Sequence, residues 1–373
     1  MLSSAPMVED AVPLQALRSV LVIKLRHHGD VLLSSPVFSA LKRGAPQAGI
    51  DALVYADTAA MLTGHPSISR VHCIDRAWKD MGAMARIRAE WRVFAELRAR
   101  RYDLVLHLTE HWRGAWLARA LGPRWAVAPV VAGRGRLWRR SFTHFVSEPR
   151  AGGRHVVERN LDSLRRIGIY PGVEERALTL IPGAAAEERI AALLSGKGLL
   201  RERYVHVHPS SRWSFKCWPA EKMAALIDRL HVEGWPVVLT AAPDPAETRM
   251  IDDILRRVAR PVAANFSGQL SLKELAALAA GARLFVGVDS APMHIAAAVG
   301  TPAVALFGPS GEALWAPWGV PRNGRHRVVA SAGYSCRPCG LDGCGGGKVS
   351  DCLVTLEVER VWAAVREQLV RET

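Results

Sequence analysis

Short aliphatic runs and amphipathic stretches alternate along almost the whole chain, the pattern of parallel strands joined by crossover helices. Residues 20–25 form a Val- and Ile-rich run that ends at His27-His28-Gly29-Asp30, and 31–41 then takes helical spacing. Further strands are predicted at 50–55, 71–74 and 103–108, with a helix at 112–120. Ile87, Trp91, Phe94 and Leu97 recur at intervals of three and four, so 84–101 is expected as a basic amphipathic helix. The alternation then restarts. Strands are expected at 204–208, 237–240, 284–288 and 303–307, and helices at 220–230, 246–257, 272–280 and 292–299. An amphipathic helix over 355–372 closes the chain. This reads as α/β, with two successive doubly wound, Rossmann-like units: 1–180 and 204–354. Residues 181–203, opening with Pro182-Gly183 among polar stretches, read as a linker, and 355–373 as a terminal helix. A ligand cleft is expected between the units, at the carboxyl ends of their strands.

At 373 residues the chain suits two domains, and its 49% hydrophobic and 23% charged content is ordinary globular usage. The apolar run 295–307 contains Thr301 and Pro302 and is too short to span a bilayer. Glu9 and Asp10 stand where an export leader would carry basic residues, so a cytoplasmic location is expected. The formal charge is +14 and is lopsided. Residues 1–180 hold 27 basic and 16 acidic side chains, against 22 and 19 in residues 181–373. Such a field favours an anionic partner, although Arg-rich composition alone produces the same balance. Cys336, Cys339, Cys344 and Cys352 cluster as C-x2-C-x4-C-x7-C. A structural zinc and a Gly-rich loop of reduced, packed thiols both fit that spacing.

Three segments carry candidate chemistry. In Lys24-Leu25-Arg26-His27-His28-Gly29-Asp30 a strand runs into a glycine turn and a carboxylate at a helix start. Asp30 is either an N-cap or a base that accepts a proton from a substrate hydroxyl. Lys24, Arg26, His27 and His28 either bind an anionic substrate or solvate the turn. The second segment, 208–219, places Ser210, Ser211 and Lys216 directly after a strand, where hydroxyl donors and a point charge suit a diphosphate. Its alternative is a packed loop in which Trp213 and Trp218 fill space. The third, 286–298, runs strand, Asp289-Ser290, Ala291-Pro292 and a small-residue helix. Its free backbone amides make an anion site, with Asp289 a cap or a ligand for sugar hydroxyls and His294 within reach of a phosphate.

Together these segments resemble the ADP-heptose:lipopolysaccharide heptosyltransferases, glycosyltransferase family 9. The opening 22–33 is similar to that family's first strand and loop, and 286–309 to its donor-binding element. Cys336-Arg337-Pro338-Cys339-Gly340 with Asp342-Gly343-Cys344-Gly345-Gly346 resembles the heptosyltransferase III branch. The resemblance implies a GT-B fold, with an N-terminal acceptor domain and a C-terminal nucleotide-sugar domain, and an inverting transfer without metal or other cofactor. It makes Asp30 the general base and Lys216 the lysine that neutralises the donor diphosphate. Asp289, Ser290 and the Ala291 backbone become the loop holding phosphates and heptose, and Glu247 the carboxylate on the ribose hydroxyls. The absence of a carboxylate pair suited to Mg²⁺ beside Lys216 agrees with that expectation.

The implied partners are ADP-heptose and a lipid-anchored lipopolysaccharide core at the inner face of the inner membrane. The basic excess of the first half fits such an acceptor. Within 112–140, Trp116, Trp125 and Trp138 interleave with Arg119, Arg124, Arg134, Arg136, Arg139 and Arg140, a composition suited to anionic headgroups. No nucleic-acid recognition motif accompanies the charge, so a nucleic-acid partner is not expected. A transferase for another acceptor, or an inactive GT-B module that binds sugar or a partner enzyme, are the competing readings.

Overall fold

The computed structural model describes residues 10–147, 153–319 and 325–370. Residues 1–9 and 371–373, with the last residues of the helix expected over 355–372, lie outside the described residues. Backbone contacts divide the chain into two units, 1–152 with 156–176, and 153–155 with 177–373.

The first unit runs β1 (Ser19–Ile23), α1 (His28–Leu32), α2 (Ser35–Gly44), β2 (Gly49–Tyr55), β3 (Arg70–Ile74), α3 (Ala83–Ala99) and β4 (Leu104–His107). It continues with α4 (Trp112–Leu121), β5 (Trp125–Pro129), α5 (Arg136–Arg139), β6 (His144–Val146) and α6 (Val156–Arg165). Its six strands pair in the order β3-β2-β1-β4-β5-β6, all parallel. Val20 sits opposite Ile50 on one side and Leu104 on the other. A central parallel strand is covered on both faces, which is why β1 reads as unbroken aliphatics rather than alternating. Leu21, Ile23, Leu53, Val105, Trp138 and Phe142 share its core.

The second unit runs α7 (Ala184–Ser195), β7 (Val205–His208), α8 (Ala220–Val232), β8 (Val237–Leu239), α9 (Pro245–Arg257), β9 (Ala264–Asn265) and α10 (Leu272–Ala280). Then follow β10 (Leu284–Val288), α11 (Ala291–Ala298), β11 (Ala303–Phe307), α12 (Glu312–Trp315), β12 (His326–Ala330), α13 (Asp351–Val354) and α14 (Val358–Val370). The sheet order is β12-β11-β10-β7-β8-β9, again all parallel. Counted within its own unit, each sheet therefore has the order 3-2-1-4-5-6 read from one edge or the other, with winding reversing beside its first strand.

Three sequence expectations need correction. The helix expected over 31–41 is two helices, because Pro36 in the first turn of α2 has no N–H to continue a ladder from α1. The Ser34 hydroxyl closes the break by donating to the Val31 carbonyl at 2.7 Å. Residues 181–203 are not a bare connector: α7 lies there and packs Ala186, Ile190 and Leu194 with Tyr204, Val238 and Leu278. Finally, β5, β6, β9 and β12 have no counterpart among the expected strands. Strands β6 and β9 have three and two residues and flank the sheets, too short to show a hydrophobic period.

One close approach makes a test of this packing. Gly114 of α4 lies against the buried His107 ring, and a Cβ there would meet its Cε1 at 2.0 Å. Overpacking of this kind costs about 1–3 kcal/mol. Gly114→Ala is therefore expected to lower the thermal midpoint by several degrees in a calorimetric scan, whereas an unchanged midpoint would contradict the helix placement.

Candidate active site

The second unit's winding reverses between β7 and β10, and the loops leaving these strands meet there. After β7, Pro209-Ser210-Ser211 leads into a 3-10 turn, Ser214–Lys216. After β10, Asp289 precedes α11. Lys216 Nζ donates to Asp289 Oδ2 at 2.6 Å, with the two side chains 23% and 6% exposed. The turn is anchored from beneath. Phe215 is buried, and its carbonyl accepts from the buried Ser350 hydroxyl at 2.7 Å. Trp218 is wholly buried and donates to the Leu356 carbonyl at 3.0 Å, whereas Trp213 is 44% exposed. Of the two indoles expected to fill space, only Trp218 does.

Asp289 is not a helix cap. The N-cap of α11 is Ser290, whose hydroxyl donates to the Val288 carbonyl at 3.3 Å. Asp289 is thus left to hold Lys216 beside the first turn of α11, where Ala291 stands and the opening amides of a helix have no intrahelical acceptor. His294 belongs to the buried part of α11, at 3% exposure.

A second carboxylate is built into the same strand ends. Asp244 caps α9, accepting from the Ala246 and Glu247 amides at 2.8 and 3.2 Å. Glu247, 7% exposed, uses Oε2 to accept from the Ser210 hydroxyl at 2.7 Å and the Ala242 amide at 3.2 Å. The proton of Ser210 is committed to Glu247, so this buried serine supports the carboxylate rather than offering a free donor to a phosphate. Ser211 Oγ accepts from the Trp213 amide at 3.3 Å. Beneath Glu247, Thr240 Oγ1 lies 2.8 Å from both His206 Nε2 and His208 Nδ1. One hydroxyl has one proton and two lone pairs, so at most one ring accepts from Thr240 and at least one donates to it. Burial pushes both imidazoles down to about 3, so both are neutral at physiological pH.

In the first unit the corresponding reversal lies between β1 and β4. Lys24 leaves β1 almost fully buried, and its ammonium donates to the Leu108 carbonyl at 3.1 Å and to Asn160 Oδ1 at 3.0 Å. Asn160 in turn donates to the Leu33 carbonyl at 3.0 Å. Burial pulls Lys24 down to about 8, opposed by the charge of Asp30. Lys24 is thus placed to brace the loop, not to reach out to an acceptor. Arg26 and His27 are exposed, and His28 Nε2 lies 3.0 Å from the Asp57 carbonyl. Asp30 is the third residue of α1, whose N-cap is His27, so it does not cap the helix. Its side chain is 16% exposed, with the Arg26 Nε 4.0 Å away.

Sequence reasoning missed Asn160, Thr240 and Ser350. Each serves a partner at least 32 positions away in the chain, and no local pattern marks such a residue. The reading of 112–140 as a headgroup surface also changes. Trp138 is 1% exposed, packed edge-on against Trp112 at 5.5 Å and against Phe142 at 5.2 Å. Arg134 lies 5.1 Å from the Trp112 ring and donates to the Glu110 carbonyl at 2.8 Å. Trp116 remains 54% exposed. Cys336, Cys339 and Cys344 are exposed free thiols and Cys352 is buried. Among the described residues, no three His, Cys, Asp or Glu side chains converge to hold a metal ion.

Two parallel six-stranded sheets of this winding, with helices around each, make up the GT-B fold. The sequence profile of glycosyltransferase family 9 (heptosyltransferase) matches residues 90–345, and the chain belongs to that family. It is 39% identical over 295 residues to lipopolysaccharide heptosyltransferase 3 of Escherichia coli, covering 79% of this chain and 84% of that protein. Among solved structures, a family 9 glycosyl transferase from Veillonella parvula superposes with TM-score 0.81 at 21% identity, over 97% of this chain and 99% of that one. The E. coli heptosyltransferase WaaC with ADP superposes with TM-score 0.71 at 21% identity, over 94% and 99%.

The buried histidines make stability pH-dependent in a definite direction. In the folded state His206 and His208 stay neutral down to about 3, whereas unfolded they bind protons below about 6.5. The unfolded chain then holds more protons, so stability is complete above about pH 6.5 and falls as pH drops, by up to about 1.4 kcal/mol per pH unit for each histidine. Thermal midpoints measured from neutral to acidic pH are expected to fall accordingly, with a shallower slope in His206→Gln. Identical slopes in the two proteins would contradict a neutral buried His206.

Proposed function

We propose that the chain transfers a heptose from ADP-heptose to a heptose of the lipopolysaccharide inner core, with inversion at the anomeric carbon and without a metal ion. The observation that carries this reading is the Lys216–Asp289 pair at the strand switch of the second unit, beside the start of α11. Family membership and the likeness to heptosyltransferase 3 support the choice of donor and acceptor.

In this reading Asp30 accepts the proton of the acceptor hydroxyl as its oxygen attacks the anomeric carbon. The bond from that carbon to the β-phosphate oxygen breaks, and its electron pair leaves with ADP. Lys216 offsets the charge that develops on the leaving diphosphate, and the opening amides of α11 add donors without a further cation. Asp289 and Ser290 hold the sugar end. Glu247, whose Oε2 is already engaged, presents Oε1 to the ribose hydroxyls. The exposed Arg26 and His27, with His28, face the anionic acceptor, and Lys24 keeps their loop in place. The acceptor is lipid-anchored, so the enzyme works at the inner face of the inner membrane as a peripheral protein. Among the described residues no helix is long and apolar enough to cross a membrane.

Two sets of variants test these roles. Asp30→Asn is expected to lower turnover by about a hundredfold to ten-thousandfold while calorimetric ADP-heptose affinity stays near normal. Near-normal turnover would remove Asp30 from the chemistry. Lys216→Ala is expected to weaken ADP binding by more than the lost attraction, because it leaves the Asp289 carboxylate facing the diphosphate unpaired. Adding Asp289→Asn to that variant should then restore part of the ADP affinity. Unchanged ADP affinity in Lys216→Ala would overturn the diphosphate assignment, and loss of transfer in EDTA would overturn the metal-free mechanism.

A further inference from the structure

Helix α3 is poorly anchored for its length. Of its 17 residues only Leu97 is fully buried. In α2, by contrast, six of ten residues are buried, from Ser35 to Leu41. Three large apolar residues of its first half are turned outward instead: Met84 is 66% exposed, Ile87 60% and Trp91 67%. Their spacing of three and then four puts them on one side of the helix. Met81, just before the helix, adds a further 47%-exposed side chain. Such a row of large apolar groups in water is unusual for a surface helix, whose apolar stripe ordinarily faces the core.

The charges around the row indicate what covers it. The two acids of α3 are already engaged. Glu90 pairs with Arg86 at 3.7 Å and Arg113 of α4 at 2.8 Å, and Glu96 lies 3.6 Å from His72. Arg88, Arg92 and Arg98 have no ion-pair partner among the described residues and are exposed. Helical geometry places Arg88 and Arg92 along one flank of the row and Arg98 at its far end. Apolar side chains with an indole, edged by free arginines, are the composition of a helix lying in a membrane interface. Its long cationic side chains can reach headgroups while the apolar row enters the acyl boundary. A second copy seated on the same row would bring identical arginines together, which disfavours self-association through this face.

We propose that the outer face of α3, led by Met84, Ile87 and Trp91 and edged by Arg88 and Arg92, docks on an anionic lipid bilayer. This deepens the peripheral-membrane reading by moving its apolar contact from Trp138, which is buried, to α3. The vesicle test contains neither donor nor acceptor, so its outcome is separate from that of the transfer assay.

The test is co-sedimentation of the full chain with phosphatidylethanolamine–phosphatidylglycerol vesicles and with pure phosphatidylcholine vesicles. Binding is expected on the anionic vesicles and to be weak on the neutral ones. The double variant Ile87→Ser, Trp91→Ser should lose about tenfold or more in partitioning, through lost apolar insertion. Arg88→Gln with Arg92→Gln should lose at least about tenfold, and high salt should reproduce that loss. Turnover on a soluble, delipidated core acceptor should be unchanged in all of them. If a double variant fails to fold, Ile87→Ser alone, at an exposed site, carries the same comparison. Wild-type failure to bind anionic vesicles, or equal binding by the Ile87→Ser, Trp91→Ser variant, would overturn the proposal. So would a wild-type dimer in sedimentation velocity that these substitutions convert to monomer, since the row would then belong to a second copy.

Discussion

A lysine ammonium held 2.6 Å from a nearly buried carboxylate, where the second sheet reverses its winding, is the constraint on which the site depends. Lys216 sits on a turn of three residues, and a long side chain on so short a support would ordinarily sample many rotamers. Asp289 fixes its tip, buried Phe215 and the Ser350 bond fix its backbone, and Trp218 closes the loop from below. The ammonium is thereby held in place before any ligand arrives, and in the proposed reading little ordering cost remains when a diphosphate binds. The same pair keeps the nearly buried Asp289 from standing as an uncompensated charge.

The first unit solves a related problem in a related way. Its lysine also follows the first strand of the sheet and reaches across the switch, from Lys24 to the Leu108 carbonyl beyond β4. The difference lies in burial. Lys24 is enclosed, its pKa falls to about 8, and a neutral amide, Asn160, receives its second hydrogen bond. Lys216 keeps 23% of its side chain exposed and has a carboxylate for a partner. The buried lysine stiffens a loop, and the partly exposed one is available to a ligand. Identical winding in the two sheets thus carries two different uses of the same residue type.

Much of this is legible in the sequence, for a physical reason. Central parallel strands are buried on both faces, so β1, β10 and β11 stand out as apolar runs, and β7 as Val205 and Val207 alternating with two buried histidines. The residues directly after such runs fall at the strand ends where a doubly wound sheet binds its ligands, and Asp30, Lys216 and Asp289 are legible for that reason. Their supports are not, because Asn160, Thr240 and Ser350 act across the fold rather than along the chain. The role of Ser210 is hidden in the same way, since its proton goes to a residue 37 positions away. Composition also does not reveal facing: Trp138 of 112–140 turns into the core, while Trp91, within the regular apolar spacing of α3, turns out. Short flanking strands such as β9 carry too few residues for any period to show.

The most direct test of the account is the mass of the product. Purified protein incubated with ADP-heptose and a heptose-truncated core acceptor should yield acceptor heavier by a single heptose residue, together with an equimolar amount of ADP. The nuclear magnetic resonance signals of the new linkage should show inversion at its anomeric centre. An acceptor of unchanged mass, with ADP-heptose left intact or hydrolysed to free heptose, would contradict it.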